Sequence, residues 1–323
     1  MIDAAIVGLG RWGRTLVEAA ACDAVGLRFT RAVSRDPLPH RDFAARHGLD
    51  FAADLSMVLT DPAVGAVVLA TPHSLHCQQI VAAAAAGKAV YCEKPLTLTK
   101  TEAAHAIDAC RHAGVVLAVG HDKRWFPALQ ELFRIAAAGE LGEIVHLEGH
   151  FSNEVAATQF SEWRHSPEES PAGGFTGTGI HVLDAMIHLA GPVRRVATLF
   201  RSHKPPPDPL DCLSILLDFA SGITGTLAMV RSTPLFLRLH AFGRHASAEM
   251  VGRTELVLRR GGVEPRHLQF PPVDTVAANL AAFAAAIEGR APYPNTPEEM
   301  LATVAAFEAI SEAAGSAPVM RAV

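Results

Sequence analysis

Short apolar runs alternate with longer amphipathic segments over roughly the first 120 residues. In these runs polar residues do not alternate regularly with apolar ones, which is typical of strands that are buried on both faces. The runs are Ile2–Val7, Leu27–Val33, Ala66–Ala70, Ala89–Cys92 and Val115–Val119. The intervening segments have helical periodicity and lie near Arg14–Ala21, Arg41–His47, His76–Ala86 and Thr101–His112. Thr99 and Glu102 form a capping-box pattern at the start of the last segment. This alternation predicts a doubly wound parallel sheet covered by helices on both faces.

The pattern changes after Gly120, where strand-like runs follow one another with short turns. These runs are Ile144–Phe151, Arg194–Ser202, Asp211–Phe219, Ile223–Arg231, Leu235–Phe242 and Leu256–Arg259. Helices are predicted near Phe126–Ala138, His181–Ala190, Thr275–Glu288 and Glu298–Ala314, and loops at Ser152–Gly174 and Lys204–Pro209. Consecutive strands with short turns indicate a mostly antiparallel open sheet. We therefore predict an α/β protein with one domain over residues 1–120 and a second over residues 121–323.

Composition narrows the class of protein. Half of the 323 residues are apolar, and the net charge of −5 is spread along the chain without a basic cluster, so we expect neither a nucleic acid nor a membrane as partner. No apolar run reaches the roughly 18 to 20 residues of a membrane-spanning helix, and the first strand begins at Ile2, which leaves no room for a secretion signal. The five cysteines are scattered singly and indicate reduced thiols. We expect a soluble cytoplasmic protein.

A glycine-rich turn follows the first predicted strand directly and precedes a helix, with the sequence Gly8-Leu9-Gly10-Arg11-Trp12-Gly13. Its glycines permit a tight turn and close approach of a pyrophosphate, whose charge the helix N-terminus binds. Such turns also occur for packing reasons alone. Its position within a strand–helix–strand pattern favours a dinucleotide site and hence a Rossmann domain.

The residues after the second strand bear on the choice of dinucleotide. NAD-binding domains usually place a carboxylate about 20 residues after the glycine turn, where it binds the adenosine ribose. Ser34 and Arg35 occupy that position here. A hydroxyl beside a guanidinium suits the 2′-phosphate of NADP, so we expect NADP(H) to be preferred with NAD(H) also possible. The alternatives are that Asp36 supplies the carboxylate, or that Arg35 is a solvated surface charge.

Two loops follow later strands, at the edge of the sheet where ligands bind. One contains Thr71, Pro72, His73 and His76, and the other is Glu93-Lys94-Pro95. The two histidines have metal-ligand spacing but no clear third ligand, so we expect no metal. Lys94 is either half of a surface ion pair with Glu93 or a group that approaches the nicotinamide and a substrate hydroxyl.

With these motifs the chain resembles the glucose-fructose oxidoreductase/inositol dehydrogenase (Gfo/Idh/MocA) family over essentially its full length. Beyond the glycine turn and the two loops, the resemblance rests on Gly120, Arg124, Trp163, Arg164, Gly173, Gly174, Gly179, His181 and Asp184. It implies hydride exchange between NAD(P) and a hydroxyl or carbonyl carbon of a sugar, inositol or diol. It also implies cofactor binding by the glycine turn and both loops, including Glu93 and Lys94. The substrate would meet Lys94, Arg124, Trp163, Arg164, His181 and Asp184, and the C-terminal sheet would form homodimers or homotetramers.

One position departs from the family pattern. Members that oxidise sugars and inositols typically carry an Asp four residues before the active-site histidine, and Gly177 stands there. Asp184 follows His181 by three residues, so it either orients the imidazole or bonds a nearby loop. We expect His181 to take the substrate proton and Lys94 to position the substrate oxygen, with the two roles interchangeable. Two alternatives stay open: a dinucleotide-binding sensor without turnover, and a reductase of a non-sugar carbonyl or a dihydrodiol dehydrogenase.

Overall fold

A computed structural model describes residues 1–154, 162–201 and 212–315 of the chain. The predicted turn Lys204–Pro209 and part of the loop Ser152–Gly174 lie outside these ranges. The chain forms two compact units, each described below by itself. The first comprises Met1–Asp122 with Asp274–Leu301, and the second comprises Lys123–Val273 with Ala302–Val323.

The first unit is built on a six-stranded sheet in which every pair of neighbours is parallel. The strand order is β3-β2-β1-β4-β5-β6. The strands are β1 (Ile2–Val7), β2 (Leu27–Val33), β3 (Asp50–Ala52), β4 (Ala66–Leu69), β5 (Ala89–Cys92) and β6 (Leu117–Val119). Strands β4 and β5 are buried at every position, which explains their unbroken apolar sequences. The predicted doubly wound parallel sheet is confirmed.

Five helices connect these strands: α1 (Arg11–Ala19), α2 (Arg41–Arg46), α3 (Leu55–Thr60), α4 (His76–Ala85) and α5 (Lys100–Ala113). The predicted cap of α5 is confirmed, because the Thr99 hydroxyl accepts a hydrogen bond from the backbone N–H of Glu102 at 3.3 Å. Strand β3 and helix α3 were missed by the sequence analysis. They have only 3 and 6 residues, too few for a period to be recognised.

The second unit is built on an eight-stranded sheet in the order β14-β13-β12-β11-β7-β10-β9-β8. All neighbours are antiparallel except β7 and β10, so the predicted mostly antiparallel sheet is confirmed. The strands are β7 (Ile144–Ser152), β8 (Val193–Arg201), β9 (Cys212–Phe219), β10 (Thr224–Val230), β11 (Phe236–Gly243), β12 (Ala246–Val251), β13 (Glu255–Arg260) and β14 (Arg266–Gln269). Strands β12 and β14 were not predicted.

Helices α6 (Pro127–Ala137) and α7 (Ile180–Ala190) pack on one face of this sheet. Strand β7 comes close to α7 because Gly149 has no side chain: a β carbon there would lie 2.7 Å from a methyl carbon of Val182. The opposite face carries a concave, largely apolar basin of about 740 Å³, with Leu216 and Phe236 exposed at its surface.

Two helices close the described chain, α8 (Thr275–Ile287) and α9 (Pro297–Ala314). Helix α8 belongs to the first unit because Leu280, Phe283 and Ala284 are buried in the core that also holds β1, β2 and β4 residues. The predicted division assigned every residue after 120 to the second domain, whereas the structure groups Asp274–Leu301 with the first unit. Sequence periodicity identified the helix but carries no information on which core its apolar face joins.

None of the helices in the described ranges is both long enough and apolar enough to cross a membrane.

Candidate active site

The glycine turn links the ends of three parallel strands. The Gly8 N–H donates to the Val33 carbonyl at 2.9 Å, and the Ala70 N–H donates to the Val7 carbonyl at 2.8 Å. Gly8 has φ +94°, and a β carbon there would lie 2.6 Å from the Ala70 carbonyl oxygen. A β carbon at Gly13 would collide with the Gly8 carbonyl. Both positions therefore require glycine, and the turn lies where the strand order reverses, between β1 and β4.

The space beside this turn fits a dinucleotide. A β carbon at Gly10 would meet nothing within 4 Å, so the backbone there is open to a ligand. Gly10 caps α1 without a side-chain hydrogen bond, and the first turn contains no acidic residue. The backbone N–H groups at the N-terminus of α1 can therefore bind an anionic group of a ligand. The Trp12 indole N–H is buried and has no acceptor among the described residues, which adds a donor for a bound group.

The loop after β2 is held by its own hydrogen bonds. The Ser34 hydroxyl donates to the Asp36 carbonyl at 2.9 Å, and the Asp36 carboxylate accepts the Leu38 N–H at 3.1 Å. The Asp36 side chain thus closes the turn, while Arg35 is exposed beside Ser34. This arrangement leaves a hydroxyl and a guanidinium at the end of β2, where a carboxylate would serve NAD.

His76 joins the two predicted loops to each other. It is fully buried, with Nδ1 2.9 Å from the Pro95 carbonyl oxygen and Nε2 3.1 Å from that of Thr71. Both ring nitrogens face backbone oxygens, which leaves neither for a metal ion. The neighbouring His73 ring packs edge-on at 5.7 Å, and Gln79, which the sequence analysis missed, binds the Thr71 hydroxyl. In the described part of the chain no group of three or more His, Cys, Asp and Glu residues could hold a metal.

Lys94 lies at the carboxyl end of β5 and is not a surface residue. It is 7% exposed and Glu93 is 3% exposed, which removes the surface ion-pair alternative. The Lys94 N–H donates to the Glu93 carboxylate at 3.3 Å, and that carboxylate lies directly against Gly120, where a β carbon would collide with it. The peptide bond between Lys94 and Pro95 is cis. The ends of β5 and β6 are therefore packed around the Glu93 carboxylate.

In the second unit a turn of π-helix, Phe175–Gly179, leads into α7 and includes Gly177. The Thr178 hydroxyl donates to the Gly174 carbonyl at 2.9 Å, and Phe307 of α9 stacks on Phe175. His181 is the second residue of α7 and is 7% exposed. Short π-helical turns are uncommon and occur frequently at functional sites.

Arg124 and Asp184 bind each other. Their two hydrogen bonds, Nε–Oδ2 at 2.6 Å and Nη2–Oδ1 at 3.0 Å, form a bidentate pair buried in the second unit. The Thr303 hydroxyl of α9, also missed from sequence, lies 3.5 Å from Asp184 Oδ1. Asp184 thus bonds a residue of the segment before α6, and its role in orienting the His181 imidazole stays a prediction. Trp163 and Arg164 stack on each other, with the guanidinium carbon 4.7 Å from the ring centre.

A parallel sheet with a glycine turn at its switch point is the architecture of a dinucleotide-binding domain. Residues 2–121 match the oxidoreductase family with an NAD-binding Rossmann fold, and residues 129–249 match the Gfo/Idh/MocA C-terminal domain. The chain belongs to the Gfo/Idh/MocA family, and it is an NAD(P)-dependent dehydrogenase. The resemblance stated from the sequence is confirmed.

Individual relatives agree with this assignment. The chain is 30% identical over 329 residues to an uncharacterized oxidoreductase, ORF334, of Rhizobium meliloti, covering 96% of each chain. It is 29% identical over 275 residues to scyllo-inositol 2-dehydrogenase (NAD(+)) of Bacillus subtilis, covering 83% of this chain and 76% of that one. A levoglucosan dehydrogenase, solved with NADH and levoglucosan, has the same fold, with a TM-score of 0.87, 21% identity and 97% coverage of both chains.

Proposed function

We propose that the protein transfers a hydride between NADP(H) and the CH–OH carbon of a small polyol, sugar or diol. The observation that carries this proposal is the position of Lys94. This lysine is nearly buried beside the buried Glu93 carboxylate, and it lies at the carboxyl end of a strand in the sheet that carries the glycine turn. Ligands of open α/β sheets bind outside the carboxyl ends of the strands. A lysine in such surroundings is suited to exchange a proton or to polarise an oxygen.

The chemistry divides between the cofactor and the protein. A bound nicotinamide supplies the hydride acceptor or donor, and the chain supplies the groups that handle the hydroxyl proton. We assign the proton to His181, because imidazole titrates close to neutral pH, and the positioning of the substrate oxygen to Lys94. The bidentate bond between Arg124 and Asp184 ties α7, the helix on which His181 lies, to the segment before α6. Arg124 and Asp184 are therefore supporting residues in this scheme.

The substrate class follows from two features. The inositol dehydrogenase among the relatives acts on a cyclic polyol, which favours a compound with adjacent hydroxyls. Gly177 removes the carboxylate that sugar-oxidising members typically place four residues before the histidine, so the pocket is less suited to clustered hydroxyls. A polyol or diol with few hydroxyls, or the corresponding carbonyl compound, accommodates both features.

The preference for NADP(H) is carried by Ser34 and Arg35, with the Asp36 carboxylate engaged by Leu38. A charge-assisted hydrogen bond to the 2′-phosphate contributes about 1.5–3 kcal/mol, or roughly 10- to 150-fold in affinity. Arg35→Ala should weaken NADPH binding by about that factor and leave NADH binding nearly unchanged, while Ser34→Asp should reverse the preference. Tighter binding of NADH than of NADPH by the unaltered protein would contradict the assignment.

We further propose that two copies associate through the open face of the eight-stranded sheet. Leu216 is 61% exposed and Phe236 is 46% exposed beside the apolar basin, and large exposed apolar patches are typical of association surfaces. Sedimentation should give a dimer or tetramer, and Leu216→Glu should shift it to the monomer. We also propose a cytoplasmic location, because the five cysteines are scattered singly along the sequence, as is usual for proteins whose thiols stay reduced.

The experiment that tests the function is a substrate panel of polyols, sugars, dihydrodiols and ketones, followed at the absorbance band of the reduced nicotinamide with each cofactor. We expect turnover with at least one polyol or diol, faster with NADP(H). Cofactor binding without turnover on the whole panel would favour a dinucleotide sensor instead.

A further inference from the structure

Arg14 connects the first helix to the loop that follows Ser34 and Arg35. It lies on α1 directly after Gly13, and one of its terminal nitrogens, Nη2, is 2.6 Å from Nδ1 of His40 and 3.2 Å from the Pro39 carbonyl oxygen. Its guanidinium carbon lies 5.3 Å from the centre of the Phe43 ring. These contacts bind the far end of the loop, 25 or 26 residues away in sequence, to the helix of the glycine turn.

The loop is consequently closed at both ends. Near β2 the Ser34 hydroxyl bonds the Asp36 carbonyl and the Asp36 carboxylate bonds the Leu38 N–H, and beyond these Arg14 holds Pro39 and His40. A loop fixed before binding loses less conformational freedom when a ligand arrives. The Asp36 carboxylate, the negative charge nearest to Ser34 in sequence, is also turned to the loop's own backbone.

The hydrogen bond to Arg14 determines which ring nitrogen of His40 carries the proton. Because a guanidinium can only donate, Nδ1 of His40 accepts, and the ring proton is on Nε2. Burial, and after it the positive charge of Arg14, lower the pKa of His40, while Asp36 acts in the opposite direction. His40 is therefore neutral at neutral pH with an N–H available on Nε2.

We propose that Arg14 and His40 are specificity-determining residues for the adenosine end of the cofactor, forming with Ser34 and Arg35 a site for a ribose 2′-phosphate. Arg14 supplies positive charge behind the loop and holds His40 with Nε2–H as a donor. Arg35 supplies the other charged donor at the end of β2, beside Ser34. The proposal rests on the proposed NADP(H) preference and adds residues from a second element, α1, to it. No local sequence pattern indicates that Arg14 and His40 bond each other, because they are 26 residues apart.

The test uses small ligands that isolate the 2′-phosphate. Binding of adenosine 2′,5′-bisphosphate is compared with that of adenosine 5′-monophosphate by calorimetry, and NADP+ with NAD+ by the same method. The variants are Arg14→Met, Arg14→Lys, His40→Ala and His40→Asn. Asparagine retains an acceptor near the position of Nδ1, so His40→Asn tests the bond to Arg14 separately from the ring. Arg46→Met, which removes an exposed arginine at the end of α2, is the matched control.

Arg14→Met and His40→Ala should each weaken the bisphosphate and NADP+ by about tenfold, with the monophosphate and NAD+ within twofold. Arg14→Lys keeps the positive charge but not the planar guanidinium, so it should weaken binding of the bisphosphate and NADP+ less than Arg14→Met does. The Arg46→Met control should leave the affinity for all four ligands unchanged. Equal losses for ligands with and without the 2′-phosphate, or no loss in either variant, would overturn the proposal. If Arg14→Met does not fold, Arg14→Lys and His40→Asn decide by the same comparison.

Binding of the two kinds of nucleotide to the unaltered protein distinguishes failure of the NADP(H) preference from failure of the role given to Arg14 and His40. If it binds both nucleotides equally, the NADP(H) preference is wrong and this inference fails with it. If it prefers the 2′-phosphate but the variants lose both ligands alike, only the role of Arg14 and His40 is wrong. Absence of turnover on the substrate panel would leave the binding comparison unaffected.

Discussion

Arg124 and Asp184 form a bidentate ion pair with distances of 2.6 and 3.0 Å, although the Asp184 side chain is fully buried and that of Arg124 is 7% exposed. Removing two charges from water is costly, and only the near-ideal fork geometry and further hydrogen bonds offset that cost. The Thr303 hydroxyl at 3.5 Å is one such bond. The pair joins the segment before α6 to the helix that carries His181.

Breaking this pair should destabilise the protein strongly. Asp184→Asn or Arg124→Met leaves one buried charge without its partner, and we expect a loss of about 3–5 kcal/mol in the free energy of unfolding. Urea unfolding followed by circular dichroism measures the loss. The control is Glu131→Gln, which breaks the solvent-exposed pair with Arg134 on α6 and should cost less than about 1 kcal/mol. A loss below that value for Asp184→Asn would show that the pair is not formed as described.

Asn279 should be a second stabilising point. Its side-chain amide donates to the Tyr91 hydroxyl at 3.0 Å and to the Val119 carbonyl at 3.2 Å, and its oxygen accepts the Tyr293 hydroxyl at 2.7 Å. Because Asn279→Ala removes three hydrogen bonds and leaves the buried Tyr91 hydroxyl without this donor, we expect a loss of about 2–4 kcal/mol in unfolding free energy. Gln78→Ala, an exposed amide on α4, is the control and should be nearly neutral. Equal effects of the two substitutions would contradict the network.

Trp12 should report cofactor binding. Its buried indole N–H has no acceptor among the described residues and lies on the first turn of α1 beside the open backbone of Gly10. A bound dinucleotide should therefore change tryptophan fluorescence, and Trp12→Phe should remove most of that change and weaken both NADP+ and NAD+ by a few-fold. Trp125→Phe, in the segment before α6, serves as the control. An unchanged titration signal in Trp12→Phe would remove Trp12 from the cofactor site.

His240 should make stability depend on pH. Burial is the main reason why the pKa of His240 is lowered from 6.5 to about 4. The negative charges of Glu249 and Glu148 raise this pKa, and the positive charges of Arg259 and Arg238 lower it further. The unfolded chain then binds more protons between these values, so stability is complete above pH 6.5 and is lost as the pH falls towards 4. Allowing for solvent screening, we expect a loss on the order of 1–2 kcal/mol.

His240→Gln should remove that part of the pH dependence. Thermal unfolding of both proteins between pH 7 and about pH 4 gives the comparison, since carboxylates that titrate in this range contribute equally to each. Parallel curves for the two proteins would show that His240 does not titrate as described.

Local patterns predicted much of this molecule. The unbroken apolar sequence of Ala66–Leu69 predicted a strand buried on both faces, and Gly8 and Gly13 predicted a turn that only glycine can form. Thr99 predicted the start of α5. In each case the cause lies within a few residues of the feature. The Gfo/Idh/MocA motifs, which are sequence-local in the same sense, predicted the family.

What the sequence did not predict depends on distant contacts. The apolar face of α8 fits either core by its composition, and only tertiary packing shows that Phe283 joins the first. Asp184 had two plausible partners, and its bond to Arg124 spans 60 residues. Asn279 and Thr303 are ordinary polar residues of alanine-rich helices, so no local pattern distinguishes them. The short strand β3 lacks the length that periodicity needs.

The central proposal is that this chain performs nicotinamide-dependent chemistry in which His181 exchanges the substrate proton and Lys94 positions the substrate oxygen. The direct measurement is turnover of Lys94→Met, on the best substrate of the panel, beside cofactor affinity measured by titration. His181→Ala is measured in parallel. We expect dinucleotide binding to stay within a few-fold of the unaltered protein while turnover falls by about 10²- to 10⁴-fold in each variant, the usual scale of a lost acid–base group. Retention of more than half of the turnover by Lys94→Met would contradict the account.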